Sequence, residues 1–210
     1  MTTPLAISAV VLAAGLSSRM GGRHKLLLDI GGEPIIRHTL RTVLAIEPAE
    51  TVVVTGHRAA EVEAALGGLA VRFVHNPAFA EGQPGSVAMG IGALAAPCQA
   101  VMIVLGDQPL LTPASLTRLI AAYAAAPVGR SMLVPLCQGA RGNPVIVASH
   151  HIPQIRAGSL KLGCRKLIET YPEQVELVEM NDEAFIRDCD TPEDYAALRA
   201  RLGLMPESAA

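Results

Sequence analysis

The chain has 210 residues, half of them apolar, few aromatic, and a formal net charge of -2. That length suits one sizeable domain, and that charge argues against a general nucleic-acid binder, which carries a basic excess or basic patches. No apolar run approaches a membrane span, and the N-terminus lacks the charged and apolar regions of a signal peptide, so the expectation is a cytoplasmic protein with a small-molecule ligand and neither nucleic acid nor membrane as partner.

In chain order, AISAVVL (6–12) predicts a buried strand. EPIIRHTLRTVLAI (33–46) predicts an amphipathic helix with Pro34 in its first turn. TVVVTG (51–56) reads as a second buried strand, AAEVEAAL (59–66) as a helix and LAVRFVHN (69–76) as a third strand. GSVAMGIGALA (85–95) is a helix of small residues. AVMIVLGD (100–107) is the most hydrophobic strand and belongs near the sheet centre. TPASLTRLIAAYAA (112–125) opens a helix with Thr112 as N-cap and Pro113 behind it. SMLVP (131–135) and NPVIVA (143–148) read as strands around a loop. LKLGCRKLIETY (160–171) is helical, QVELVEM (174–180) is a strand, and TPEDYAALRARL (191–202) is a closing helix capped by Thr191.

Continuous apolar strands joined by helices imply a mainly parallel sheet covered on both faces. With right-handed crossovers this is an α/β fold, a Rossmann-like three-layer α/β/α sandwich. One domain is expected over 1–204, with a flexible tail at 205–210. Cys98, Cys137, Cys164 and Cys189 form no CxxC pair and are expected to be buried thiols.

In such a sheet, ligands bind outside the carboxyl ends of the strands. Four segments stand there. VVLAAGLSSRMGGRHK (10–25) follows the first strand with glycines, serines, Arg19 and Lys25. Its backbone N–H groups can converge on an anion while the two cations supply charge, a design that suits a triphosphate. The alternative is a mobile surface loop with solvated cations. It matches neither GxxxxGK[ST], because Leu26 follows Lys25, nor GxGxxG. In VLGDQPLLTP, Asp107 is either a Mg²⁺ ligand or a turn aspartate. In DCDTPED, Asp188 and Asp190 either favour a helix N-terminus, or Asp190 is a second metal carboxylate beside Asp107. In GARGNPVIV, Arg141 either holds an anionic group or decorates an ordinary hairpin loop. His24 is expected to be a solvated loop histidine.

LAAGLSSRMGG…K, LLLDIGGEPIIRHTL, EGQPGSVAMGI, LGDQPLLTP, RGNPVIV and DCDTPED follow one another along nearly the whole chain. That order resembles the molybdenum cofactor nucleotidyltransferases, the MobA-like NTP transferases, and among them the cytidylyltransferases that make molybdopterin cytosine dinucleotide. The resemblance implies a fold of the nucleotide-diphospho-sugar transferase type, with a nucleotide-binding N-terminal half and an acceptor-binding C-terminal half. It implies transfer of CMP from CTP to molybdenum-molybdopterin with release of pyrophosphate, dependent on Mg²⁺ or Mn²⁺. It implies that Leu12, Ala13, Ala14, Gly15, Gly85 and Ser86 approach the nucleotide, and that Arg19, Lys25 and Asp107 serve the transfer itself. Asp107 and Asp190 would hold the metal, Arg141, Gly142, Asn143 and Pro144 would face the acceptor, and a recipient molybdoenzyme would make transient contact.

A guanylyltransferase is the nearest rival, but its first motif normally reads LAGG where this chain has LAAG. A sugar-phosphate or alcohol nucleotidyltransferase and a cofactor-delivery chaperone without catalysis are further alternatives. The chain departs from the cytidylyl pattern at the spacing of MGGRHK, which also suits the guanylyl relatives, and at Pro84-Gly85, where glycine and serine are common. It also has Lys161 where an aspartate often stands.

Overall fold

The computed structural model describes residues 5–156 and 164–205. Lys161 and the tail beyond Met205 lie outside the described residues. Among the described residues, no helix is long and apolar enough to cross a membrane.

The sheet grows from β1 (Ile7–Ala13), buried along all seven residues. It runs parallel to β2 (Thr51–Thr55) on one side and β4 (Ala100–Leu105) on the other, with Val11 opposite Val53 and Val104. β3 (Arg72–His75) extends the parallel run beyond β2. A strand buried on both faces needs no polar alternation, which is why β1, β2 and β4 read as unbroken apolar segments.

Beyond β4 the direction reverses. β5 (Met132–Cys137) and β7 (Val145–Ala148) are joined by a short connection, and strands so joined pair antiparallel. β7 therefore enters antiparallel to β4, with Ile103 opposite Val145. β6 (Ala140–Arg141) pairs with the end of β5, and β8 (Val175–Glu179) pairs parallel along it. The result is a mixed sheet of eight strands in which β4 is central.

Alternate residues of β1 feed two cores. Ala9, Val11 and Ala13 face α1 (Ile35–Leu44), α2 (Ala59–Ala65) and α4 (Pro113–Ala124) through Ile36, Leu40, Val62 and Leu116. Val10 and Leu12 face α3 (Gln83–Ala93), α5 (Ile152–Arg156) and α6 (Cys164–Thr170) through Val87, Ile91, Ile155 and Leu167. Each fully buried side chain of this kind contributes about 1.5–3 kcal/mol. α7 (Pro192–Arg201) closes a third cluster, where Tyr195 and Leu198 meet Met20, Leu28, Ile30 and Ile35.

The differences from expectation have local causes. Pro34 is the N-cap of α1 rather than part of its first turn. α3 starts at Gln83, before the expected Gly85, because Pro84 is pre-organised for a first helical turn. Cys137 and Cys189 are buried thiols as expected, whereas Cys98 and Cys164 are only partly covered.

Candidate active site

After β1 the chain turns through residues 14–25 on positive backbone angles at Ser17 (φ 54°), Gly21 (φ 60°) and Gly22 (φ 88°). Glycine adopts that region without steric cost. The turn is anchored at several points. Ser17 Oγ accepts the Lys25 backbone N–H at 3.1 Å. Met20 is buried beneath α7. The Arg23 guanidinium lies 5.3 Å from the centre of the Tyr195 ring, and the Tyr195 hydroxyl donates to Asp29 O at 2.6 Å.

Lys25 projects from this turn onto the carboxyl edge of the sheet. Its Nζ bonds Asp107, which follows β4, and Asp190 at 2.6 Å. The two aspartates are 83 positions apart and meet because Cys189 N donates to Asp107 O at 3.0 Å. Thr191, not Asp190, caps α7, and Asp194 completes a capping box by accepting from Thr191 N at 2.8 Å. The Asp190 carboxylate is thereby left to Lys25 and to Arg19, the latter at 2.5 Å.

Burial opposes the charge on Lys25, but Asp107 and Asp190 outweigh it and hold the ammonium above its usual range. Asp188 completes the group: one oxygen from each of Asp107, Asp188 and Asp190 lies within 4.8 Å of the others. Burial, then the charges of Asp107 and Asp190, push Asp188 above the ordinary carboxylate range. Three converging carboxylate oxygens are the hard donor set that Mg²⁺ and Mn²⁺ take. The sequence had marked Asp190 as the metal carboxylate and left Asp188 as a capping group; only the fold puts both beside Asp107.

A cleft of about 380 Å³ opens above this cluster. Leu12, Ala14, Gly15, Lys25, Ser86 and Asp107 line it, and so do Leu16, Phe79 and Gln83, which the sequence reading had not singled out. Ala13 points its methyl group into the opposite core. Arg19 reaches the cluster through Asp190 rather than from the cleft wall, and Gly85 is likewise outside the lining. Ser86 is fixed by Asn76, whose Nδ2 donates to Ser86 Oγ at 3.0 Å.

Gln83 also lines a second cavity of about 350 Å³. Arg141, Gly142 and Asn143 form one wall of it; Val87, Ile103, Val134, Val145 and Ile168 supply an aliphatic wall. Pro144 follows a cis peptide bond and is not part of that lining. The Gly142 turn is pressed onto Phe185: an added Cβ would stand 2.4 Å from Phe185 O, which also accepts from Asn143 N at 2.8 Å and Gln108 Nε2 at 3.1 Å.

His24 corrects an expectation. It is buried rather than solvated, with its ring stacked on His57 at 5.7 Å and neither ring nitrogen hydrogen-bonded. Burial pulls its pKa down to about 4. Nothing local in GGRHK signals this, because the covering ring arrives from the end of β2.

The chain is similar to several known proteins. It is 42% identical over 118 residues to the bifunctional protein GlmU of Alkalilimnicola ehrlichii, a match covering 55% of this chain and 25% of that relative. The chain thus spans about a quarter of that relative's length. A nucleotidyl transferase from Methanothermobacter thermautotroptrophicus superposes with a TM-score of 0.78 at 28% identity, over 94% of this chain and 97% of the other. Rv0371c of Mycobacterium tuberculosis, solved in complex with manganese, shares the fold with a TM-score of 0.74 at 22% identity, over 93% and 98% of the two chains. That relative carries the name GlmU rather than that of a molybdenum cofactor cytidylyltransferase. The model of the MobA-like NTP transferase domain matches residues 9–177, and with the mixed sheet and the cleft at its carboxyl edge this establishes that the chain belongs to that family.

Proposed function

We propose that this protein is a nucleotidyltransferase that moves CMP from CTP to molybdenum-molybdopterin, giving molybdopterin cytosine dinucleotide and pyrophosphate. The observation that carries the reading is the Lys25–Asp107–Asp190 cluster on the floor of a cleft that adjoins a second cavity. Lys25 and Arg19 neutralise and orient the triphosphate. Asp107 and Asp190, with Asp188 beside them, would hold a divalent ion, which would supply further positive charge to the phosphates. The acceptor's terminal phosphate is already anionic near neutral pH, so transfer needs charge neutralisation and alignment more than a general base. In keeping with that, the described lining of the cleft contains no histidine.

The second cavity gives an acceptor a place beside the cleft. Its aliphatic wall suits the apolar face of a bulky body, Gln83 and Asn143 offer hydrogen bonds, and Arg141 and Arg165 suit an anionic group. Ala14 on the cleft wall supports cytosine over guanine, because its methyl group takes space that glycine would leave to the larger base.

The test is a panel of CTP, GTP, UTP and ATP against molybdenum-molybdopterin and a hexose phosphate, followed by pyrophosphate release. Selective release with CTP and the molybdopterin acceptor is the expected result. Release with GTP makes the protein a guanylyltransferase. Release only with the sugar phosphate moves the acceptor, and binding without release makes it a delivery chaperone.

A further inference from the structure

We infer that Lys25 is a built-in counter-cation that must leave the carboxylates before a divalent ion takes them, so that metal and nucleotide enter the site together. The inference rests on the metal-and-nucleotide reading above, but not on the choice of base or acceptor.

The Lys25 ammonium bridges two of the three carboxylates, touching Asp107 Oδ2 and Asp190 Oδ1. The three side chains are largely enclosed, with Lys25 15%, Asp107 9% and Asp190 22% exposed. Enclosed charges are weakly screened by solvent and salt. Asp107, Asp188 and Asp190 together attract a cation, but Lys25 already occupies oxygens from two of them and Arg19 contacts one.

A divalent ion set among the same oxygens would meet the ammonium at contact distance, where like charges repel most strongly. Lysine carries a compact charge on a flexible four-carbon stem and can swing, provided another anion receives it. A triphosphate in the adjoining cleft is such an anion. A ligand that draws Lys25 off the carboxylates raises their affinity for the metal, and by linkage the metal raises affinity for that ligand equally. Arg19 shares the task less fully, because its side chain is 65% exposed and touches only Asp190.

The test is Mn²⁺ binding to the purified full chain without nucleotide, read from the paramagnetic resonance of free Mn²⁺. Lys25→Met should bind Mn²⁺ at least tenfold more tightly than wild type. Lys25→Arg, which keeps the charge, should stay near wild type, and Arg19→Met should fall between. Mn²⁺ binding by Lys25→Met that is no tighter than wild type would overturn the inference.

A second measurement on unaltered protein guards against local collapse in the variants. The Lys25 side-chain carbon resonance, assigned by its absence in Lys25→Met and referenced to Lys161 and Lys166, should shift as Mg²⁺ saturates the protein. A Lys25 resonance that stays fixed through saturation overturns the exchange. Failure of Mn²⁺ to bind any of these proteins, with or without CTP, overturns it together with the metal reading. The expected Mn²⁺ pattern without pyrophosphate release in the molybdopterin assay would count against the acceptor and leave the exchange standing.

Discussion

The cleft and the cavity beside it are held by different forces. On the phosphate side, Lys25, Arg19, Asp107 and Asp190 are locked to one another by side-chain ion pairs between distant segments. On the proposed acceptor side, in the second cavity, the Arg141–Asn143 turn is held by its backbone. Gly142 N donates to Pro135 O at 2.8 Å and Asn143 N to Phe185 O at 2.8 Å, while Arg141 itself is exposed. A charge network fixes which atoms stand where, and tolerates little change. A backbone-held turn can carry different side chains without losing its shape.

The comparison breaks first if the phosphate side tolerates neutral substitutions. Asp107→Asn and Asp190→Asn keep the shape and remove a charge, and each should cost on the order of 2–4 kcal/mol of transition-state stabilisation, about 1.5 to 3 powers of ten in turnover. Their effects should not add fully, because both act on one cluster. Metal-dependent pyrophosphate release, with thermal melts as the folding control, measures this. An Asp190→Asn variant as active as wild type at every Mg²⁺ concentration would return DCDTPED to the role of a helix start.

Acid should loosen the phosphate side next. His24 binds a proton only near pH 4 in the folded chain, whereas in the unfolded chain it does so near its ordinary value of 6.5. Between these values the unfolded state carries more protons, so stability is full above pH 6.5 and falls as pH drops toward 4. Between pH 7 and pH 5 the loss from this residue should be about 2 kcal/mol. Urea unfolding at pH 7 and pH 5 should show it, with a shallower fall in His24→Phe, which keeps a ring against His57; an equal fall in both proteins would assign the acid sensitivity elsewhere.

The acceptor side should respond to backbone displacement instead. Gly142→Ala drives a methyl group onto Phe185 O and should cost about 1–2 kcal/mol of stability. It should raise KM for the acceptor well above any change in KM for CTP. Equal changes in both would mean that the two sides are not separable. The smallest effect is on base choice. Ala14→Gly should relax preference from CTP toward GTP by about 1 kcal/mol or less, a few-fold, measured as the ratio of kcat/KM values.

Some of this was legible along the chain. Runs such as AVVLA and AVMIVL have no polar alternation, which marks strands covered on both faces, and a Gly-rich turn with two cations after the first of them marks an anion site. Thr112-Pro113 and Thr191-Pro192 mark helix starts by chemistry confined to a few neighbouring residues. Such features survive reading in one dimension because the causes lie within one or two turns of the chain.

Other features had no local cause. That Ala13 faces the opposite core from Ala14 follows from the pleat of β1, but which face bears the cleft was decided by the helices that cover it. Asp188 joins Asp107 and Asp190 because a backbone hydrogen bond from Cys189 docks that segment beside the end of β4. His24 is buried because His57 arrives from the turn after β2, and Ser86 is oriented by Asn76 from the end of β3. The amino-acid order determined the strands, the helix starts and a Gly-rich turn carrying two cations, because hydrophobic period, capping and turn chemistry act over short range. Which carboxylates meet and which histidine loses water were decided only when the sheet brought distant segments together, because Coulomb interaction and desolvation depend on distance through space rather than along the chain.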